Sequence, residues 1–247
     1  MPELFEKCSR AFRDPRGIAR RVTFIASRIR AGCFDPYSVL SFSQGGEDLL
    51  LDELFSSRPT GFYVDVGAHH PRRFSNTHLF HSRGWRGVNI DASAESVKLF
   101  RRERPKDINA EAAVASLRKP LTLFVFQEGA LNSLDPDLSR SRVERGESPL
   151  VETRQVITQT LSDLLDEHLP PEQSIDFLSV DVEGLDLDVL KSNNWERFRP
   201  QIVLAEQIGG GTVAELASDP MHEYLSGVGY VCVAKTIRTL FFQDAKA

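Results

Sequence analysis

The stretch Gly61-Phe-Tyr-Val-Asp-Val-Gly-Ala-His-His-Pro71 decides the fold. Its first six residues are apolar, aromatic and β-branched apart from Asp65, the composition of a central strand buried on both faces. The run stops at Gly67 and polar residues follow. Downstream, a helix after Asn76 runs through Leu79 and Phe80 to Gly84-Trp85, and Gly87-Val-Asn-Ile-Asp91 reads as a second strand. Residues 93–104 form a charged amphipathic helix, and 108–114 a third strand or strand edge. Later come a helix at 161–168, the very apolar strand Ile175-Asp-Phe-Leu-Ser-Val180, a helix at 186–192, a strand over 201–205 and a helix near 212–226. The runs 229–235 and 237–243 close the chain as an antiparallel hairpin at the sheet edge. Strands alternating with helices at this pace predict βαβ units and an α/β fold with a mostly parallel sheet.

Three segments lie outside that alternation. Residues 1–40 read as an N-terminal helical extension, with two short helices broken at Asp14-Pro15, in front of a domain over 41–247. A helix after Ser43-Gln-Gly-Gly46 buries Leu49, Leu50, Leu54 and Phe55. Two β-rich runs, 121–126 and 151–160, flank the polar, Arg-rich residues 135–149, which read as a candidate lid loop.

A chain of 247 residues, 41% hydrophobic, suits one domain with elaborations better than two. A net charge of −5 and a pI near 5.7 argue against a nucleic-acid partner, which calls for a strongly basic face. Residues 1–30 are the exception: eight Lys/Arg against three acids give 8 − 3 = +5. That suits either a solvated helix face or peripheral contact with an anionic membrane surface. Three scattered cysteines, Cys8, Cys33 and Cys232, point to neither a disulfide framework nor a thiolate metal site. With no membrane-length apolar run and no signal-peptide core, the expected compartment is the cytoplasm.

In open parallel sheets ligands sit beyond the carboxyl ends of the strands, so the residues that terminate the apolar runs are the candidates. Gly67 permits close backbone approach, and Asp91 places a carboxylate where the hydroxyls of a ribose would lie. No G-x-G-x-x-G series and no P-loop occurs, so a nucleoside without a diphosphate, such as S-adenosylmethionine (SAM), fits better than NAD or ATP. Asp181 and Glu183 are one residue apart at the end of the 175–180 strand and share a side if the strand geometry persists. They are suited to accept a proton, to bind the SAM amino group or to hold a divalent cation such as Mg2+, with Glu206 after the next strand as a third oxygen ligand. His78-x-x-His81 invites a zinc reading but lacks the partners zinc requires. His70, ahead of Pro71, is a further candidate base.

Together the segments Ser43-Gln-Gly-Gly-Glu-Asp48, Gly61 to Pro71, Phe74-Ser-Asn-Thr77, Gly84-Trp-Arg-Gly-Val-Asn-Ile-Asp91 and Ile175-Asp-Phe-Leu-Ser-Val-Asp-Val-Glu-Gly184 resemble FkbM-type methyltransferases over roughly residues 41–207. The resemblance implies a Rossmann-like SAM-dependent methyltransferase fold, with a seven-stranded sheet and an antiparallel C-terminal hairpin. It implies methyl transfer to a hydroxyl, commonly on a sugar of a glycolipid, polysaccharide, lipo-oligosaccharide or glycosylated natural product. It places Asp65, Gly67, Asp91 and Ala113 in the cofactor pocket with Gln44, Glu47 and Asp48 closing over it, and Asp181 and Glu183 near the methyl group, with Glu206 matching the acid after the next strand. Many relatives carry Lys two residues before the first acid, where this chain has Ser179. The alternatives are an NAD-dependent sugar oxidoreductase or epimerase, and a non-catalytic module of the same fold; self-association is left open.

Overall fold

The computed structural model describes residues 37–55, 58–209 and 211–246. The two helices expected over residues 3–31 lie outside them. Phe42–Ala247 forms one compact unit, and all helices and strands described below belong to it.

The helices are α1 (Glu47–Leu54), α2 (His78–Ser82), α3 (Ala94–Glu103), α4 (Pro136–Glu144), α5 (Leu161–His168), α6 (Asp186–Lys191) and α7 (Pro220–Gly227). The strands are β1 (Phe62–Val66), β2 (Arg86–Asp91), β3 (Ile108–Glu111), β4 (Ala113–Val114), β5 (Pro120–Phe126), β6 (Leu150–Gln159), β7 (Phe177–Val180), β8 (Ile202–Glu206), β9 (Tyr230–Lys235) and β10 (Thr239–Asp244). Seven of them make one sheet in the order β3-β2-β1-β7-β8-β10-β9. It is parallel from β3 to β8, and β10 runs antiparallel to both β8 and β9. The fold is therefore a mainly parallel α/β sheet with antiparallel C-terminal strands, consistent with a Rossmann-like methyltransferase. The hairpin does not simply extend the edge, because β10 inserts between β8 and β9.

The continuous apolar runs are explained by cores on both faces. Side chains alternate along a strand, so Phe62, Val64 and Val66 enter one core while Tyr63 enters the other. β7 and β8 divide likewise: Leu178, Val180, Val203 and Ala205 on one side, Phe177, Ile202 and Leu204 on the opposite one. The first core is covered by α5, α6 and α7 through Leu161, Leu164, Leu165, Val189, Leu190, Met221 and Leu225. The second is aromatic: Phe55, Phe80, Trp85 and Phe177 meet with ring centroids 4.9–6.1 Å apart. Truncating one such ring costs about 3–5 kcal/mol. Trp85 and Trp195 are both buried and serve packing. In α1 the fully buried apolar residue is Leu51, with Leu50 and Leu54 flanking it.

Between β3 and β7 the chain leaves the main sheet to form a three-stranded sheet, β4-β6-β5. The Arg-rich residues 135–149, expected as a loop, hold α4 instead. Asp135 caps the helix, its Oδ1 accepting from the amides of Asp137 (2.8 Å) and Leu138 (3.0 Å), and Pro136 occupies the first turn, where its missing N–H costs nothing.

Candidate active site

Because β2, β1, β7 and β8 are parallel neighbours, their carboxyl ends open on one edge of the sheet, where Asp91, Gly67, Asp181 and Glu206 succeed one another. Strand order reverses between β1 and β7, the place where open α/β sheets bind ligands. A cavity of about 650 Å3 lies there, lined by all four together with Gln44 and Glu183.

The exits of β1 and β7 are locked to each other. The Asp181 amide donates to Val66 O (3.0 Å), and Gly67 N donates to Ile90 O (2.9 Å). Gly67 has φ 79°, and a Cβ there would sit 1.7 Å from the main-chain oxygen of Asp181. Glycine is thus required by the chain's own close approach at least as much as by a ligand's. Two residues on, His69 also has positive φ, 52°, a conformation that costs a non-glycine residue about 1–3 kcal/mol. Its amide donates to Asp91 Oδ2 (2.7 Å), and the Ser93 amide donates to Asp91 Oδ1 (2.7 Å). Asp91 is fixed in orientation by these bonds; burial raises its carboxyl to about 6 against their opposing pull. The His69 ring lines the cavity with its buried Nε2 unpartnered, and burial, followed by the Arg73 charge, pushes the imidazole down to about 4.

The floor is acidic. One carboxylate oxygen from each of Asp181, Glu183 and Glu206 lies within 4.8 Å of the others. Glu206 is 8% exposed, and both its Oε2 and Asp181 Oδ1 are buried without a partner. Burial, then the charges of Glu206 and Glu183, raise the Asp181 carboxyl; burial and the Glu183 charge raise Glu206 to about 8. Beneath them the buried Asp186 accepts from the amides of Val182 and Gly184 (3.2 Å each). Glu183 has φ 55°; burial raises its carboxyl, and Arg142 of α4 opposes that by an ion pair to Oε2. Arg142 is buried and also donates to Leu131 O (2.8 Å), so the residues read as a lid supply a fixed cation.

Behind the cavity stands a second network. Asp65 is buried off the cavity, its Oδ2 accepting from Thr77 Oγ1 (3.0 Å). Arg104, 1% exposed, donates through Nη1 to Tyr63 Oη (3.1 Å), Thr77 Oγ1 (2.8 Å) and Asn89 Oδ1 (3.3 Å), and through Nη2 to Ser75 Oγ (3.2 Å) and Pro71 O. It ties the 71–77 loop to β1 and β2. Ser179, where lysine was noted in relatives, accepts from Asn76 Nδ2 (3.1 Å), and the charge that steadies Asp65 comes from Arg104.

The remaining expected residues hold the backbone in shape. Glu47 Oε2 accepts from the Gly45 amide (2.7 Å) and Oε1 from Thr236 Oγ1 (2.9 Å); Asp48 accepts from Phe42 N (2.7 Å) and Ser43 Oγ (2.8 Å). These bonds shape the Ser43–Gly46 turn, which brings Gln44 to the cavity while Glu47 and Asp48 stay off its wall. His70 is off it as well: its Nδ1 accepts from the amides of Arg72 (3.0 Å) and Arg73 (3.1 Å). Ala113 is buried among Leu123 and Leu134 in the small sheet. Of His78 and His81, the latter faces Asp107 (3.3 Å), and the two share no metal-sized cluster among the described residues. Arg104 and Arg142 were missed because nothing in their local sequence separates them from the neighbouring arginines.

The model of the methyltransferase FkbM domain matches residues 65–232, more than half of the chain, and so spans Gly67, Asp91 and the three clustered acids. The chain belongs to the FkbM methyltransferase family. As an FkbM protein it is a methyltransferase, which displaces the sugar oxidoreductase alternative. In sequence it matches none of the curated proteins compared with it. No helix among the described residues is long and apolar enough to cross a membrane.

Proposed function

We propose that this FkbM protein is a SAM-dependent O-methyltransferase whose acceptor is a hydroxyl of a sugar in a glycolipid, polysaccharide, lipo-oligosaccharide or glycosylated natural product. The observation that carries the reading is the convergence of Asp91, Gly67, Asp181 and Glu206 on one cavity at the switch point of the sheet. About 650 Å3 falls in the range of small-molecule sites. Its wall holds six acids, Asp91, Glu128, Glu147, Asp181, Glu183 and Glu206, against three arginines, Arg142, Arg145 and Arg238. That excess of acidic groups suits a cationic donor, whose positive charge would favour their ionised forms, and the oriented Asp91 carboxylate is placed to accept from a pair of ribose hydroxyls.

When bound, SAM supplies a methyl group activated by its sulfonium. The chain's own residues then have two tasks, to aim an acceptor oxygen and to receive its proton. Asp181 and Glu206, with oxygens unpartnered beside the cavity, are placed to receive it in their ionised forms, which for Glu206 predominate above about pH 8. Arg142 holds Glu183, and through it the β7 exit, against α4. The sugar acceptor rests on the family resemblance, and peripheral membrane contact rests on the +5 charge of residues 1–30 alone.

Calorimetric titration of the full chain with SAM and with NAD tests the donor. Saturable SAM binding with none for NAD is expected; no SAM binding sinks the proposal. Release of S-adenosylhomocysteine in the presence of sugar acceptors, lost in Asp181→Asn, tests the hydroxyl chemistry, and an Asp181→Asn variant with wild-type turnover would remove Asp181 from the proton's path.

A further inference from the structure

Resting on the methyltransferase reading of the same cavity, we propose that Asp181, Glu183 and Glu206 form a site for one hard divalent cation, Mg2+ or Mn2+, that presents an open coordination face to the acceptor. Two observations carry this beyond the presence of acids. The first is spacing. One oxygen from each residue lies within 4.8 Å of the others, and oxygens on opposite sides of a hard divalent ion are separated by twice the metal–oxygen bond, about 4.0–5.2 Å between Mg2+ and Ca2+. The three are thus close enough to share one ion of this class, with a small contraction wherever a pair stands at the upper end of that spacing.

The second is orphaned buried oxygen. Glu206 is 92% buried, the complement of its 8% exposure, yet its Oε2 has no hydrogen-bond partner, and neither does the buried Asp181 Oδ1. Buried polar atoms are nearly always paired, so carboxylate oxygens that have no partner beyond a proton shared between Asp181 and Glu206 call for a ligand. Three close carboxylates face a single buried guanidinium, and Arg142 engages only one oxygen of Glu183. Asp186 beneath adds a fourth acid and no cation. Like charges at this distance are costly unless a proton or a positive ion joins them, and a bound cation would let all three carboxylates ionise together. All-oxygen donors exclude a soft metal and favour Mg2+ or Mn2+. The same three residues line the cavity, so ligand positions not filled by the chain face the acceptor and not the core.

The test is binding of Mn2+ to the full chain without SAM, followed by the electron paramagnetic signal of free Mn2+, with Mg2+ as competitor. One Mn2+ per chain displaced by Mg2+ is expected, and Glu206→Gln and Asp181→Asn should each weaken it by more than about tenfold. Glu206→Gln should melt no lower than wild type, because it relieves crowding among the acids; if it fails to fold, Glu183→Gln supplies the same reading. No Mn2+ binding, or binding unchanged in all three variants, overturns the site. SAM binding measured alongside keeps the two proposals apart: Mn2+ binding without SAM binding retains the metal site and sinks the donor. SAM binding that vanishes in Glu206→Gln, with no Mn2+ bound by wild type, gives the cluster to the donor's cationic group instead.

Discussion

Gly67→Ala should force apart the exits of β1 and β7. The added Cβ would lie 1.7 Å from the Asp181 carbonyl oxygen, and contacts under 3.0 Å are essentially never seen for real Cβ atoms, so the gap must open by at least 3.0 − 1.7 = 1.3 Å. Two costs follow. Holding alanine at a left-handed φ of 79° costs about 1–2 kcal/mol. Prying the strand exits apart costs about 1–3 kcal/mol more, as overpacking does. The total of about 2–5 kcal/mol corresponds to a melting temperature lowered by about 4–20 °C in a chain of this size. Activity should fall further than stability suggests, since Asp181 moves with its carbonyl and a displacement near 1 Å can cost about 100-fold in rate. Gly84→Ala is the control: φ is 108° but nothing lies within 4 Å of its Cβ, so only the conformational cost applies and turnover should be unchanged. Thermal melts, SAM titration and S-adenosylhomocysteine release check all three expectations. If Gly67→Ala matches Gly84→Ala in melting and turnover, the close approach to Asp181 does not constrain the site.

Arg104→Met should lower stability by about 3–5 kcal/mol in chemical denaturation, because Asp65 and the Thr77 hydroxyl lose a fully buried guanidinium; a loss under about 1 kcal/mol would refute its role as the post of the 71–77 loop. His70→Ala should keep turnover within about tenfold, whereas removal of a true base costs about 10²–10⁴-fold; a loss of that size would put His70 back at the reacting atoms. The His69 ring should show no NMR titration between pH 5.5 and 8 (values of roughly that range bracket the ordinary imidazole), because its folded value lies at about 4 against 6.5 unfolded. With the folded value depressed, its contribution to stability is complete above pH 6.5 and is lost as the pH falls from there through 4. His69→Asn should therefore lose less stability than wild type over that interval, and an imidazole titrating near 6.5 would contradict the burial argument.

Much of the fold was legible locally. The run from Gly61 to Val66 declared a strand buried on both faces, and the termination of such runs in Gly67, Asp91, Asp181 and Glu206 marked the residues that now share the cavity. Spacing also suggested a common side for Asp181 and Glu183, although the chain turns through a positive φ at Glu183, so the two meet by that turn and not by continuing the strand. What failed did so where polar groups act on the backbone. Glu47, Asp48 and His70 had the chemistry of ligands and bases, yet their acceptors are spent on amides and hydroxyls of nearby turns. Residues 135–149 read as a loop because α4 is polar on most of its surface; its cap at Asp135 and Pro136 was the available signal.

By itself the sequence determined the strands of the main sheet, the apolar helices that cover it and the residues that end those strands, because burial on two faces or one repeats every two or three to four residues and is written locally. Only the tertiary structure decided which of those ends meet. The insertion of β10 between β8 and β9, the reach of Arg104 to a loop 27–33 residues upstream and the pairing of Arg142 with Glu183, 41 residues away, depend on strand order and helix packing across the whole chain. An arginine in a run of arginines carries no local mark of being the one that is buried. That is settled by the low-dielectric interior, where a buried carboxylate must find a cation, a donor or a proton, and the fold brings Arg104 within reach of Asp65 and Arg142 to Glu183.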